Sequence, residues 1–426
     1  MNSPARSTPH ASSKSAVLDV IRAAGTISRV GLTKTTGLTG ATISVAVRKL
    51  LDEDLVLETG HAESTGGKRR VLLQLNHNSR YAVGVHLDHE RITYVLTNLS
   101  GAVVARITRP GAGVQEPSVI VKRMAGEVAA LVTRVGVEPG RVLGIGLVSP
   151  GPLRANTGMT LTPPPMRKWE DYPVDRELAA ATGLPVVLDN DATAAALGEH
   201  WSGGMGGAST SAALYMGSGI GAGIVIGGIT YRGSSGNAGE IGHVCVDIAG
   251  PECWCGARGC VEALAGPAAV VAAARANQAL AHLVGAGRSR NSLTADFAAV
   301  SRAARRGEPH ATAILERSAQ YVAVATRTLA NVMDVEFLVL TGPGFAIAGS
   351  VYLPIVRQEL DRGFFARGVH TVEVRLSRTA ATAPAIGAAA MVLQSELVPL
   401  HAVQRLPESL IVDELALASH PVREHG

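Results

Sequence analysis

Residues 201–231 constrain the fold of this chain more than any other stretch of its sequence. These 31 residues contain no Asp, Glu, Lys or Arg, and ten of them are glycine. An uncharged span of this length satisfies a simple length criterion for a membrane helix, but glycine at this density strongly disfavours a helix. We therefore predict two strands joined by a glycine-rich turn, and their uniformly apolar character indicates a sheet that is covered on both faces.

Strand-like and helix-like segments alternate from residue 81 onward. In the first block, the apolar patterns predict strands at residues 81–87, 92–99, 103–108, 142–148 and 185–188, and helices at residues 118–135 and from Ala192. A second block repeats this plan, with strands at residues 211–215, 223–226, near Val244 and at 337–340, and helices at residues 267–283 and 309–334. Two α/β lobes with a cleft between them are typical of the actin-like and sugar-kinase superfamily.

Residues 14–76 have a different pattern, which predicts three short helices followed by a hairpin. Ser28 is suited to cap the second helix, and the third helix spans about residues 40–52. The two strands of the hairpin, at residues 56–60 and 71–75, flank a basic segment that is rich in glycine. This arrangement predicts a winged helix-turn-helix, whose third helix enters the major groove of DNA. A small helical subdomain that contacts other proteins remains the alternative.

The excess positive charge of the chain lies in the same region. Residues 1–80 hold 11 Lys and Arg against 6 Asp and Glu, a net charge of +5, whereas the remainder holds 28 against 29, a net charge of −1. Cations that neutralise phosphates and small polar side chains that reach base edges are the groups that bind duplex DNA, although a solvated basic face would carry the same charge. The residues expected to contact operator DNA are Thr39, Ala41, Thr42, Ser44, Val45, Arg48, Gly67, Lys68 and Arg69.

Three of the four cysteines and one histidine form the pattern His243-x9-Cys253-x-Cys255-x4-Cys260. Three thiolates and one imidazole suit a closed tetrahedral Zn²⁺ site, and such a site leaves no position for a reacting water, so we expect the zinc to be structural. Buried free thiols beside an unrelated histidine are the alternative. Cys245 lies outside the pattern, and we expect it to be a small core residue.

Three segments together resemble the ROK family of repressors, open reading frames and kinases, and specifically its repressor branch. They are the N-terminal pattern IRAAGTISRVGLTKTTGLTGATISVAVRKLLDEDLV with STGGKRR, the segment LDNDATAAALGE, and the segment RGSSGNAGEIGHVCVDIAGPECWCGARGCVEALAG. The resemblance implies an α/β fold in which a winged helix-turn-helix precedes a two-lobed actin-like, sugar-kinase domain with a structural zinc site. The domains expected are a disordered leader at 1–13, the DNA-binding domain at 14–78, the lobes at 79–200 and 201–395, and a tail at 396–426.

The resemblance also implies a pocket for a small sugar or sugar phosphate. Rigidly held amides and carboxylates are natural partners of sugar hydroxyls, and His243 would offer one ring nitrogen to zinc and the other to the sugar. Asp191 matches the residue that acts as the general base in the kinases of the family. The residues that the resemblance places around the ligand are Gly151, Asn190, Asp191, Glu240, His243 and Glu262.

The chain departs from the kinases of the family at the first of their two phosphate loops. The kinases have Asp-x-Gly-Gly-Thr where this chain has His86-Leu87-Asp88-His89-Glu90, although the second loop is retained as the turn from Gly217 to Gly221. Without the two glycines the backbone cannot approach a phosphate closely, and Glu90 adds an anion near it. We therefore predict poor ATP binding, no enzymatic activity, and a vestigial role for Asp191.

These features predict a sugar-responsive transcriptional regulator, most simply a repressor whose operator affinity falls when sugar closes the cleft. Nothing in the sequence sets the sign of this coupling, and tighter DNA binding with ligand is the alternative. We expect a homodimer or tetramer because paired half-sites bind much more tightly than one helix in one groove. The first 13 residues lack the apolar segment of a secretory signal, so a cytoplasmic protein without membrane contact is expected. The alternatives are an ATP-dependent hexose kinase with a DNA-binding appendage and a scaffold whose pocket binds nothing.

Overall fold

The structure is a computed structural model, and it describes residues 13–61, 71–154, 158–159, 164–205, 208–284 and 292–397. The chain divides into two units, one formed by residues 1–79 with 393–426 and the other by residues 80–392. No helix within the described residues has both the length and the hydropathy needed to cross a membrane. Within the uncharged segment, Thr210–Met216 and Ile220–Ile226 form strands.

The helices, in chain order, are α1 (Ser13–Ala24), α2 (Arg29–Thr36), α3 (Gly40–Asp52), α4 (Pro117–Val135), α5 (Val174–Thr182), α6 (Asp191–Trp201), α7 (Val261–Ala265), α8 (Pro267–Ala276), α9 (Leu293–Arg305), α10 (Pro309–Met333), α11 (Pro343–Gly363) and α12 (Ala383–Leu397). The strands are β1 (Thr26–Ser28), β2 (Val56–His61), β3 (Val71–Leu75), β4 (Tyr81–Leu87), β5 (Arg91–Asn98), β6 (Val103–Pro110), β7 (Val142–Ser149), β8 (Leu153–Arg154), β9 (Gly158–Met159), β10 (Val186–Asn190), β11 (Thr210–Met216), β12 (Ile220–Ile226), β13 (Ile229–Tyr231), β14 (Phe337–Thr341) and β15 (Glu373–Leu376).

The N-terminal unit packs α1, α2 and α3 with an antiparallel sheet in the order β1-β3-β2. Ser28 caps α2, because its Oγ accepts the Gly31 N–H at 3.2 Å. Thr39 caps α3 in the same way, its Oγ1 accepting the Thr42 N–H at 3.2 Å. The short strand β1 was not predicted from the sequence. The side chains that this unit buries completely include Val17, Ile21, Leu32, Ile43 and Leu50.

The first lobe of the larger unit contains a five-stranded sheet in the order β10-β7-β4-β5-β6. The strands β4, β7 and β10 are parallel to one another, so their carboxyl ends meet at one edge. A crevice outside the carboxyl ends of parallel strands is the usual place for a ligand in an open α/β sheet. The helix α4 packs against α5, and buried side chains of α4 join those of β4, β5 and β7 in one core.

The second lobe contains a sheet in the order β13-β12-β11-β14-β15. The two strands predicted from the uncharged segment are β11 and β12, which pair antiparallel around the turn at residues 217–219. Strand β14 runs parallel to β11 and places Thr341 opposite Tyr215. The long helices α10 and α11 pack against each other and, with α7, α8 and α9, bury the main core of this lobe.

Helix α12 returns to the sheet of the first lobe, where glycines permit unusually close packing. A Cβ atom on Gly84 would lie 1.8 Å from the Ala385 carbonyl oxygen, and one on Gly146 would lie 1.9 Å from that of Ala388. Any larger residue at either position would push the helix away, which explains part of the high glycine content. The helix thereby packs beside α6, whose first residue is Asp191.

The sequence prediction of a strand near Val244 is wrong. Residues 241–243 form a 3-10 turn, and the nearby pairing is an isolated bridge between Cys245 and Cys260. The third strand of this block is instead β13, which directly follows β12. The predicted helix at 267–283 ends at Ala276, and the chain continues through a separate 3-10 turn at residues 281–283.

Candidate functional site

Strand ends from both lobes bring four ionisable side chains together. His86 lies near the end of β4, and its Nε2 is 3.5 Å from Oδ2 of Asp191 at the start of α6. Tyr215 lies near the end of β11, and its ring meets the His86 ring edge-on with a centroid distance of 6.2 Å. Asp88 follows β4, and burial raises its pKa, with the negative charge of Asp191 adding to the effect and His86 opposing it.

Asn190 fixes the start of α6. Its Oδ1 accepts the N–H groups of Ala192 at 2.8 Å and Thr193 at 3.1 Å, which are two of the donors that a helix N-terminus leaves unpaired. Its Nδ2 donates to the Gly151 carbonyl at 3.4 Å. Helix capping thus holds Asp191 in place and ties it to the turn that follows β7.

Glu240 carries a carboxyl group that is easily protonated. Burial, helped by like-charge repulsion from the carboxylates of Asp191 and Glu262, raises its pKa to about 7. At neutral pH this group therefore exists in both forms, and the protonated form can donate a hydrogen bond while the ionised form can accept one.

The four predicted metal ligands form one cluster. The ligand atoms of His243, Cys253, Cys255 and Cys260 all lie within 4.8 Å of one another. The Sγ atoms of Cys255 and Cys260 are 3.8 Å apart, and His243 Nδ1 is 3.6 Å from Cys253 Sγ. A tetrahedral zinc ion with ordinary bond lengths separates two sulfurs by about 3.8 Å and a sulfur and a nitrogen by about 3.6 Å. The donor set and its spacing can hold a metal ion.

Burial raises the pKa of the Cys260 thiol to about 12, and neighbouring thiols add to this effect. Burial also raises the pKa of Cys253. A metal ion binds thiolates, so metal binding to this cluster releases protons and becomes tighter as the pH rises. The prediction that Cys245 is a core residue is wrong, because its side chain is exposed. Its backbone forms an isolated antiparallel bridge with that of Cys260.

Glu262 connects the metal cluster to the glycine-rich turn between β11 and β12. Its Oε1 accepts the indole N–H of Trp254 at 2.5 Å, and its Oε2 accepts the backbone N–H of Ile220 at 2.8 Å. A Cβ on Gly219 would lie 2.2 Å from the same Oε2, so glycine is required for this approach. The Trp254 ring in turn meets His243 edge-on at 5.1 Å. Through Trp254 and Glu262, the cluster of candidate metal ligands is therefore linked to the turn.

Two polar contacts that the sequence did not reveal join the lobes. The Asn237 side chain pairs with both backbone groups of Leu153, and Arg232 forms an ion pair with the buried carboxylate of Asp189. Asn237 belongs to the segment at residues 232–266, which also contains Glu240 and His243. Asp189 belongs to the segment that carries Asp191. Their position inside these segments was a usable signal, but their partners lie tens of residues away or more.

The turn after β4 is closed by contacts of its own. Oδ1 of Asp88 accepts the Glu90 N–H at 3.3 Å. The Glu90 carboxylate in turn accepts the backbone N–H of Thr294, in the first turn of α9, at 3.3 and 3.4 Å. A helix N-terminus attracts an anion, so this carboxylate of the first lobe is bound by the second lobe.

The predicted DNA-contacting residues of α3 lie on one surface of the N-terminal unit. Ala41, Ser44, Val45 and Arg48 are exposed, whereas the predicted buried residues Ile43, Val47 and Leu50 are fully covered. Thr39 is exposed at the cap, and Thr42 is partly buried beside it. The remaining predicted residues, Gly67, Lys68 and Arg69, lie outside the described residues.

The comparison with known families decides the fold class. A model described as the ROK family matches residues 82–395, which is most of the chain. The chain belongs to the ROK family. Its larger unit therefore has the sugar-kinase-like α/β fold of ROK proteins, as the sequence predicted.

Repressors and kinases both occur among the ROK relatives of this chain. It is 32% identical over 385 residues to a putative xylose repressor of Caldicellulosiruptor sp. strain Rt8B.4, covering 87% of this chain and 93% of the repressor. A solved ROK family transcriptional regulator, a homologue of the Escherichia coli Mlc protein, is 25% identical with a TM-score of 0.72 and covers 91% of this chain and 97% of its own. A ROK glucokinase of Streptomyces griseus, solved with glucose and AMPPNP, is 26% identical with a TM-score of 0.60 and covers 73% of this chain and 98% of its own.

Proposed function

We propose that this chain is a sugar-responsive transcriptional repressor. Its N-terminal unit would bind operator DNA as a winged helix-turn-helix, and its ROK cleft would bind a small sugar. The observation that carries the proposal is the exposed face of α3, where small polar side chains and Arg48 lie together above a fully buried core. A slim helix with such a face fits the major groove.

The extent of the similarities supports the same function. The putative xylose repressor matches over 87% of this chain, whereas the glucokinase is matched over nearly its full length by 73% of this chain. A ROK protein that is only a kinase therefore has no counterpart for part of this chain. The N-terminal unit is the part that a regulator needs in order to reach DNA.

For the ligand site we propose a pocket lined by Gly151, Asn190, Asp191, Glu240, His243 and Glu262. The carboxyl ends of the parallel strands of the first lobe open toward Asp191, and the carboxylates of Asp191 and Glu240 interact. Nδ1 of His243 lies next to Cys253 Sγ, so Nε2 is the ring nitrogen that can contact a sugar. Glu262 already accepts two hydrogen bonds, and any contact with a sugar would use its remaining lone pairs.

We propose that the metal is Zn²⁺ and that its role is structural. Four protein ligands complete a tetrahedral shell, so the ion would supply no open position for chemistry. Bound there, it would fix the loop that carries His243 and, through Trp254, the carboxylate of Glu262.

The kinase alternative is favoured by one observation, the placement of Asp191 at the start of α6 beside the glycine-rich turn at residues 217–221. The turn after β4 opposes it. There Asp88 accepts one backbone N–H and Glu90 occupies the end of α9. An ADP-release assay over a panel of hexoses decides between the two functions. Turnover of about 10 per second, which is ordinary for an enzyme, would identify a kinase.

The proposed function can be tested with the purified full-length chain and a duplex selected from a random pool. We expect nanomolar binding that weakens steeply with salt, a change in affinity on adding the right sugar, and a dimer or tetramer by light scattering. The variant Glu240→Ala should lose the sugar response and keep its DNA affinity. The variant Glu316→Ala, which removes an exposed carboxylate of α10, should behave like the parent. Selection of no preferred duplex would contradict the proposal.

A further inference from the structure

Tyr215 carries a buried hydroxyl group that no described residue satisfies. The side chain lies at the carboxyl end of β11 and is 3% exposed, yet its phenolic oxygen has no hydrogen-bond partner among the described residues. His86 is 7% exposed, and its Nε2 is likewise without a hydrogen bond, although it lies 3.5 Å from Asp191. Buried polar atoms in native proteins are nearly always paired, so two such atoms on neighbouring rings that meet edge-on indicate a place where a ligand group binds.

The Tyr215 ring is held firmly in this position. It packs against Ala192, Ala195 and Ala383, between two glycine turns. A Cβ on Gly217 would lie 2.8 Å from the phenolic oxygen, and one on Gly342 would lie 2.9 Å from the ring. The ring therefore packs closely against both glycine turns, and this packing fixes the position of its hydroxyl.

The groups around this hydroxyl are mostly anionic. Burial raises the pKa of Tyr215 well above its usual value, and the negative charges of Asp191 and Asp88 add to the effect, so the phenol stays neutral and can donate. Arg91 opposes the shift from an exposed position at the start of β5. The anion-attracting end of α9 is already occupied by Glu90. A neutral ligand hydroxyl can form hydrogen bonds with these side chains, whereas the carboxylates repel a phosphate.

We propose that Tyr215 and His86 form the inner end of the sugar site and select an unphosphorylated monosaccharide over its phosphate ester. The ligand hydroxyl that meets Asp191 would also meet the Tyr215 hydroxyl and the His86 imidazole. A phosphate on that hydroxyl would collide with the Tyr215 ring and lie against Asp88 and Asp191. The inference rests on the proposed function, and it narrows the effector from a sugar or sugar phosphate to a neutral sugar.

The test is titration calorimetry on the full-length, zinc-loaded chain with pentoses, hexoses and N-acetylated amino sugars, each paired with its terminal phosphate ester. We expect one or more free sugars to bind, and the matching ester to bind at least about tenfold more weakly. Tyr215→Phe keeps the ring and removes only the hydroxyl, so it should weaken the free sugar by about fivefold, the order of one neutral hydrogen bond. Tyr231→Phe alters an exposed phenol on β13 and should bind like the parent.

The outcomes separate the inference from the function beneath it. An ester that binds as tightly as its free sugar, or a Tyr215→Phe variant with unchanged affinity, would overturn the inference and leave the repressor proposal standing. A chain that binds none of the sugars or esters would contradict the sugar-responsive function and the inference together. Circular dichroism of Tyr215→Phe checks that any lost affinity is not lost folding.

Discussion

The side-chain amide of Asn237 pairs with both backbone groups of Leu153: Nδ2 donates to its carbonyl at 3.0 Å and Oδ1 accepts its N–H at 2.8 Å. The contact joins the segment that leads to Glu240 with the turn that follows β7. The side-chain amide thus pairs with the backbone of Leu153 as a neighbouring β-strand would, and both hydrogen bonds constrain the direction of approach. The two sides of the cleft are therefore held in a fixed register.

Asn237→Ala should release this contact and free the Leu153 amide. We expect a loss of about 1 kcal/mol in the free energy of unfolding and faster hydrogen exchange at Leu153, measured by mass spectrometry. Asn237→Asp should lower the free energy of unfolding more than Asn237→Ala does, because a carboxylate oxygen would then face and repel the Leu153 carbonyl oxygen. Asn277→Ala, which removes a local contact near the end of α8, is the control and should leave the exchange at Leu153 unchanged. Equal protection in all variants would contradict the contact.

Cys255→Ser should abolish stoichiometric zinc binding, because it removes one of four ligands in a closed shell. Elemental analysis of the purified parent should give about one zinc per chain, and a chelator should lower its melting temperature. Cys245→Ser removes an exposed thiol just outside the cluster and should retain the metal. Full zinc content in Cys255→Ser, or none in the parent, would show that the cluster is not a zinc site.

Glu90→Gln should weaken the contact between the turn after β4 and the first turn of α9. A neutral amide loses the attraction of a carboxylate for the helix N-terminus, so we expect a loss of about 0.3–1 kcal/mol in the free energy of unfolding. The loss should shrink at high salt. Glu316→Gln, at an exposed position of α10, serves as the control. A loss that does not depend on ionic strength would point to packing instead of charge.

His370 should stabilise the fold more in acid than in alkali. Its Nε2 bonds to Asp334 Oδ1 at 2.9 Å, and this bond raises the pKa of His370 above its ordinary value of 6.5. The stabilisation is complete below pH 6.5 and is lost as the pH rises through the raised value. The drop in melting temperature caused by His370→Ala should therefore be larger at pH 5.5 than at pH 8.5. An equal drop for His370→Ala at both pH values would refute the pairing.

Arg48→Ala should weaken binding to the selected duplex by about 1–3 kcal/mol if the guanidinium meets a base. The residue is exposed on α3, so its loss should leave folding intact. Arg134→Ala, at the exposed end of α4, removes the same charge from the other unit and serves as the control. Fluorescence anisotropy at several salt concentrations measures both. Unchanged affinity in Arg48→Ala would remove this residue from the recognition surface.

Local features of this chain were set by short-range chemistry and could be predicted from sequence. The Ser28 cap needs a hydroxyl and the four residues 28–31, and the cluster of candidate metal ligands needs the spacing of one histidine and three cysteines. The hairpin of β11 and β12 follows from apolar runs around a glycine turn. Each of these is settled within about twenty residues, where chain connectivity alone brings the partners together.

The tertiary structure decided the features that depend on distant partners. The sequence placed a strand near Val244 and buried Cys245, because local apolar character could not show that residues 241–243 form a 3-10 turn and that Cys245 is exposed. It could not show that Glu240 has a pKa of about 7, because burial and the charge of Asp191 come from other elements. Nor could it single out Tyr215, because the contact of its ring with His86 of the other lobe forms only in the folded chain. Burial and long-range electrostatics exist only once the chain has folded. The sequence therefore determines which side chains are available for the cleft, and the tertiary structure determines their burial, their pKa values and their partners.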